Sequence, residues 1–188
     1  MADVTWESWS LGDDKSHDKA QHWPVLAEDK VVAEYTRDGE TDSIAYGEEV
    51  WQLDASKDHE LKATQPDGRV YTATAKDRDR IARAKLLSVD FGADHPGGSI
   101  VCEGSTNYVI ENAATGTKWG QFTGASRGVR HAEIQFDTEE GRALSEDQKI
   151  FLVWTARRVL ESRMVSMTWI LTLSLILLIA YLAWVWIL

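Results

Sequence analysis

The sequence contains one cysteine, three prolines and nine lysines in 188 residues. Cys102 alone cannot form an internal disulfide, which fits a reducing compartment. Residues 1–20 contain no apolar stretch of the kind that a secretory signal needs. The formal net charge of -10 leaves little basic surface for binding phosphates. We therefore expect a cytoplasmic domain with no nucleic-acid partner.

Charged residues are absent from 164–188, where leucine, isoleucine, valine, alanine and tryptophan dominate. About 20 apolar residues in a helix cross a bilayer core, and such a segment satisfies its own backbone hydrogen bonds. The run predicts a single transmembrane helix that serves as a C-terminal anchor. Its aromatic residues are expected at the two membrane interfaces, with Trp169 on one side and Tyr181, Trp184 and Trp186 on the other. The alternative is a core helix threaded through a protein interior.

Three arginines, Arg157, Arg158 and Arg163, come just before this run, and no charged residue follows it. Cytoplasmic segments beside a membrane span carry an excess of arginine and lysine. The pattern predicts a single-pass protein of the cell membrane, tail-anchored, with its N-terminal domain in the cytoplasm. We expect the three arginines to form a membrane-proximal basic group, and the lipid bilayer to be a partner.

Every charged residue precedes the apolar run, so the whole negative charge belongs to the part before 164. About 160 residues are enough for one domain with its own core. The acidic residues are scattered and lysines are few, a pattern compatible with a high-salt (halophilic) cytoplasm. An ordinary acidic domain is the alternative.

Short alternating segments rich in valine, isoleucine, tyrosine and threonine begin near residue 30. Turn formers such as Asp38-Gly39 and Pro96-Gly97-Gly98 separate them. They predict a mainly β fold, an antiparallel barrel or sandwich of about nine or more short strands. The predicted strands are 31–36, 50–53, 60–64, 69–74, 84–91, 99–103, 108–112, 118–123 and 129–136. Segment 77–83 is interpreted as a helical turn or a charged loop.

A helix over 145–163 is predicted next, because Ser145 can act as the N-cap and Gln148 completes a capping box. Ile150, Phe151 and Trp154 share one helix face, so we expect Trp154 to be buried while Arg157 and Arg158 face solvent or headgroups. The predicted organisation has three parts. These are a polar N-terminal arm or flap at 1–29, an acidic β-rich domain at 30–163 and the transmembrane anchor at 164–188.

Several stretches resemble the tubby C-terminal-like superfamily, which includes the LURP-one-related proteins and the phospholipid scramblases. The resemblance is carried by NYVIENAATGTKWGQFTGASRGVRHAEIQF followed by DTEEGRALSEDQKIFLVWTARRVL, and by the earlier QPDGRVYTAT and AKLLSVDF. It implies a closed β-barrel around a central apolar helix. It also implies a role in lipid contact, membrane tethering or sensing rather than catalysis.

Motifs for chemistry are weak. The densest set of possible metal ligands is Asp13, Asp14, His17, Asp18 and His22, which a solvated charge run explains better. Asp38, Glu40 and Asp42 alternate like calcium ligands, but the glycine and closing glutamate of a calcium loop are not in place, which favours a hairpin turn. Cys102, next to Val101 in a predicted strand, is typical of a buried small hydrophobe. We predict no catalytic residues, no metal and no cofactor.

The leading hypothesis is a non-enzymatic, membrane-tethered domain that binds lipid headgroups or a protein partner in the membrane. The second is an accessory subunit or an enzyme of a membrane complex, with a site assembled from several strands. A deep pocket holding His131 or carboxylates with shifted pKa values favours the second. A third is a purely structural protein whose anchor pairs with other helices, although the run has no GxxxG-type face.

Overall fold

The computed structural model describes residues 6–15, 20–39, 41–93, 95–104, 106–124 and 132–187, and the side chains of 165–171, 180 and 183–187 lie outside that description. Twelve antiparallel strands in this part of the chain close into a barrel, each paired with its neighbours in sequence and β12 paired with β1. The strands are β1 (Glu7–Leu11), β2 (Gln21–Ala27), β3 (Lys30–Asp38), β4 (Thr41–Tyr46), β5 (Glu49–Asp54), β6 (Glu60–Thr64), β7 (Val70–Ala75), β8 (Leu86–Asp90), β9 (Gly98–Cys102), β10 (Asn107–Asn112), β11 (Lys118–Thr123) and β12 (Glu133–Phe136).

Side chains alternate between the barrel interior and its outer wall, as the period of two along a strand requires. In β10, Tyr108 and Ile110 are almost completely buried, whereas Val109 and Glu111 are only partly covered. The predicted antiparallel β fold is confirmed, and it is a closed barrel rather than a sandwich.

Three strands were missed by the sequence analysis: β1, β2 and β4. The expectation that 1–29 is a polar arm needs correction, because β1 pairs with β12 and β2 pairs with β3. Trp9 and Trp23 are buried in the core rather than docked from a flap. In β1 the outward-facing side chains Ser8 and Ser10 are polar, while Trp9 and Leu11 contribute to the barrel interior. Trp23 and Val25 do the same in β2.

Two predicted strands match the structure residue for residue, β6 and β11, and the Asp38-Gly39 turn joins β3 to β4 as expected. Gly39 has a φ of 58°, in the left-handed region that glycine enters without a steric penalty. Of the predicted strand 129–136, residues 129–131 lie outside the described residues.

Two helices follow the barrel strands: α1 (Glu139–Arg142) and α2 (Glu146–Ile187). The predicted helix start is confirmed, since the Ser145 N–H donates to the Gln148 side-chain oxygen at 3.0 Å. The 42 residues of α2 form one continuous helix, so the predicted helix 145–163 and the apolar run belong to a single element.

Candidate functional site at the helix exit

The first part of α2 lies inside the barrel. Every residue from Ile150 to Leu160 is buried except Arg158. Phe151 packs edge-on against Tyr71, with ring centroids 5.6 Å apart, and Trp154 lies 5.8 Å from Phe151. The predicted burial of Trp154 is confirmed by its exposure of 1%. The helix is therefore a central element of the core and not a bare stalk.

Polar contacts hold α2 where it enters the barrel. Asp147 accepts hydrogen bonds from the Tyr71 hydroxyl at 2.7 Å and from Arg69 at 2.8 Å. Burial opposes ionisation of Asp147, but hydrogen bonds from Ser145, Tyr71 and Arg69 outweigh it and lower the pKa of the carboxyl. Lys149 is 4% exposed and forms an ion pair with Glu7 of β1 at 2.9 Å. These contacts fix the rotation of the helix relative to the strands.

A second polar cluster surrounds α2 where it leaves the barrel. The carboxylate of Glu161 accepts from Arg157 at 2.6 Å and from Arg37 of β3 at 2.9 Å. Burial by itself raises the pKa of Glu161, but the hydrogen bonds from Arg157 and Arg37 and the positive charges of both arginines together outweigh it and hold that pKa below its ordinary value. Glu161 is therefore an ionised link between the helix and the barrel wall.

Aromatic rings complete this exit cluster. The guanidinium carbons of Arg37 and Arg157 lie 5.3 and 5.1 Å from the ring centroid of Trp23. Trp23 in turn stacks on Tyr35, whose hydroxyl donates to Asp42 at 2.7 Å. Burial, followed by the hydrogen bond to Asp42, raises the pKa of Tyr35 to about 12 against the opposing charge of Arg37. Tyr35 is thus a neutral hydrogen-bond donor at physiological pH.

The prediction that Arg157 faces solvent or headgroups is wrong, because Arg157 is 8% exposed and bonded to Glu161 within the barrel mouth. The side chain of Arg158 is a quarter exposed and lies 3.5 Å from Glu161 and 3.9 Å from Asp42. Arg163 donates to the carbonyl oxygen of Ala84 at 2.6 Å. Glu161 is within helical spacing of both Arg157 and Arg158, whereas Asp42 and Ala84 lie on a distant strand and loop that helix periodicity could not reveal.

The second part of α2 extends beyond the barrel and is apolar around its circumference. Its exposed large side chains are Leu173, Leu175, Ile176, Leu177, Leu178, Ile179, Tyr181 and Leu182, each more than half exposed. Of the predicted interface aromatics, only Tyr181 has a described side chain, whereas Trp169, Trp184 and Trp186 lie outside the described side chains. Across the described residues, no helix combines the length and the apolar character needed to cross a membrane.

A basic segment lies beside the helix exit; the sequence analysis interpreted its residues 77–83 as a helical turn or a charged loop and assigned it no function. Residues 76–85, KDRDRIARAK, join β7 to β8 and carry five cationic and two anionic side chains. A short 3-10 helix, Ile81–Arg83, buries Ile81, and Arg163 of α2 bonds to Ala84 directly after it. The alternation of arginine and aspartate was visible in the sequence. Only the folded barrel shows that this segment contacts α2 at the start of the apolar run.

The sequence analysis also considered several residues as metal ligands or as a reactive thiol. His22 lies 3.1 Å from Glu34, and the carboxylate of Asp14 accepts from the His22 backbone N–H at 3.3 Å. The described part of the chain contains no group of three or more metal-ligating side chains. His17, Asp18, Glu40 and His131 lie outside the described residues. The Cys102 thiol, half-buried near the helix exit, donates to the carbonyl oxygen of Gly104 at 2.5 Å.

Comparison of the chain with protein-family models, with curated proteins and with solved structures gives no match. The geometry of α2, buried in the barrel along one part and exposed along the other, is therefore the basis for a functional proposal.

Proposed function

We propose that this protein is a non-enzymatic, membrane-tethered barrel in which one helix belongs to both the protein core and the bilayer. The observation that carries the proposal is the change in surroundings along α2. Residues 150–160 are enclosed by the twelve strands, whereas the described side chains of 172–182 are exposed and largely apolar. A helix that is apolar on all sides requires an apolar environment.

The energetics favour lipid as that environment. Seven leucine and isoleucine side chains between Leu173 and Leu182 are 51% to 63% exposed. At about 1.5 kcal/mol for each side chain, transfer of this set into hydrocarbon contributes on the order of 10 kcal/mol. The sequence run 164–188 has no charged residue to oppose that transfer. We propose that this run is a single transmembrane anchor at the cell membrane.

The barrel is proposed to lie on the cytoplasmic side, which the arginines before the run and the single cysteine support. Its function there is to hold a binding surface at the membrane for lipid headgroups or for a protein partner. A closed barrel filled by α2 has its interior occupied by side chains such as Phe151 and Trp154, which supports binding at the outer surface.

The tubby-like resemblance of 107–160 remains part of the proposal. The resemblance implies a closed β-barrel around an apolar helix, and the closed barrel around α2 is compatible with that expectation. The implied role, contact with or sensing of lipid rather than catalysis, agrees with the exposed apolar half of α2.

The test introduces charge into the exposed half of α2. Lysine at the centre of a membrane helix costs about 3 kcal/mol, so the double variant Leu175→Lys, Leu178→Lys is expected to lose resistance to alkaline carbonate extraction from membranes. The matched control is Val31→Lys, Val50→Lys, which replaces two apolar side chains of similar exposure on the barrel wall. The control should remain membrane-integrated. Full carbonate resistance of the Leu175, Leu178 variant, or equal loss in the control, would contradict the anchor.

A further inference from the structure

Segment 76–85, at the barrel end where α2 emerges, carries a local concentration of basic side chains. Lys76, Arg78, Arg80, Arg83 and Lys85 are all exposed in the segment between β7 and β8. The sequence has a net charge of -10, which repels an anionic membrane surface. Segment 76–85 provides a local excess of cations at the barrel end that the proposed anchor would bring against lipid.

One of the two anionic residues of this segment, Asp77, is hydrogen-bonded within the loop. Asp77 accepts hydrogen bonds from the backbone N–H groups of Lys85 and Leu86, at 3.0 and 3.1 Å, and so closes the loop. Arg80 pairs with Asp58 at 3.2 Å. The cations Lys76, Arg78 and Arg83 point outward from a loop whose backbone Asp77 holds in shape. With Arg80 paired to Asp58, the four other cations of the segment, Lys76, Arg78, Arg83 and Lys85, exceed the two negative charges of Asp77 and Asp79.

Segment 76–85 also lies beside the part of α2 where the apolar run begins. The guanidinium group of Arg163, the last charged residue before the apolar run, bonds to Ala84. If the bilayer core begins after Arg163, then 76–85 lies at the depth of the headgroups. An open depression of about 500 Å³ occurs in this surface, lined by His59, Ala75, Lys76, Asp77, Arg78 and Asp79. It has room for a polar headgroup.

We propose that segment 76–85 is a docking surface for anionic lipid headgroups, placed beside the helix exit so that the barrel is held in one orientation on the membrane. The inference rests on the proposed membrane anchor and adds the lipid class that the barrel selects. Lysine and arginine residues within a Debye length of anionic lipid are attracted to it, and salt screens that attraction.

The experiment uses the full chain added to preformed vesicles of phosphatidylcholine, with or without phosphatidylserine. A water-soluble amine reagent modifies exposed lysines, and peptide mass spectrometry measures the rate at each lysine. Lys76 and Lys85 should react roughly threefold or more slowly on the anionic vesicles, while Lys30 and Lys62 react equally on both. About 1 M salt, at which the Debye length is about 3 Å, should abolish the difference.

The double variant Arg78→Gln, Arg83→Gln leaves both reporter lysines in place and should remove their protection. The matched control Lys30→Gln, Lys62→Gln has the same change in charge on other strands and should retain it. Co-flotation of protein with vesicles measures insertion separately. Failure to float with either vesicle overturns the anchor and this surface together. Flotation with equal labelling of Lys76 and Lys85 on both vesicles overturns the headgroup surface alone and favours an acidic protein partner.

Discussion

Replacement of Trp154 by alanine is the most direct test of the threaded helix. Trp154 is 1% exposed, and its ring lies against Phe151 in the centre of the barrel. Removal of a buried tryptophan costs about 3 to 5 kcal/mol, because apolar contacts are lost and a cavity is left. Its indole N–H has no hydrogen-bond partner among the described residues, so the substitution also removes an unsatisfied donor. We therefore expect a cost near the lower value, about 3 kcal/mol.

The assay is chemical or thermal unfolding of the full chain in mild detergent, followed by circular dichroism of the strands. A loss of about 3 kcal/mol should lower the melting temperature by roughly 6 to 12 °C for a chain of this size. Trp154→Phe retains most of the ring contacts and should cost about 1 kcal/mol. Arg158→Ala should cost less than about 1 kcal/mol, since its ion pairs are long and partly solvated. Equal, small effects of Trp154→Ala and Arg158→Ala would refute the threaded helix.

Three other outcomes are expected. Glu161→Gln should cost about 2 to 3 kcal/mol in denaturant unfolding, because it removes the carboxylate to which the buried guanidinium of Arg157 donates. Glu133→Gln, an exposed residue whose partner is Ser8, should have almost no effect. The folded-state pKa values of Glu161 and Asp147 are lowered, so their contribution to stability is complete above the ordinary carboxyl pKa near 4 and is lost as the pH falls through the lowered values. Unfolding midpoints measured between pH 7 and 3 should show this decline. A decline of the same size in the Glu161→Gln variant would count against a contribution from Glu161. Deletion of 164–188 should yield a folded, monodisperse domain by circular dichroism and gel filtration, because the exposed side chains of 172–182 contribute little to the core; aggregation or loss of the strand signal would show that this segment is needed for folding.

Local sequence signals determined the elements whose formation depends on nearby residues. The start of α2 follows from the Ser145 and Gln148 capping pair, and β6 and β11 follow from alternation bounded by turn residues. The burial of Trp154 followed from its position on the apolar face of the helix.

Only the tertiary structure decided which polar residues lie inside. Asp42 is part of β4, a strand missed because its inward positions include a carboxylate, and that carboxylate is satisfied by Tyr35 on the adjacent strand. Arg157 was expected outside because Ile150, Phe151 and Trp154 occupy the apolar face of the helix, yet Glu161 and Trp23 offset the cost of burying its guanidinium within the barrel mouth.

The sequence by itself determined that an uncharged apolar run follows a β-rich acidic domain, because composition and period are local properties. Barrel closure depends on the pairing of β1 with β12, which joins residues more than 120 positions apart. The same long-range geometry brings the basic segment 76–85 beside Arg163 at the helix exit. Contacts between distant segments are not encoded in local periodicity, and for that reason the candidate site became visible only in the folded chain.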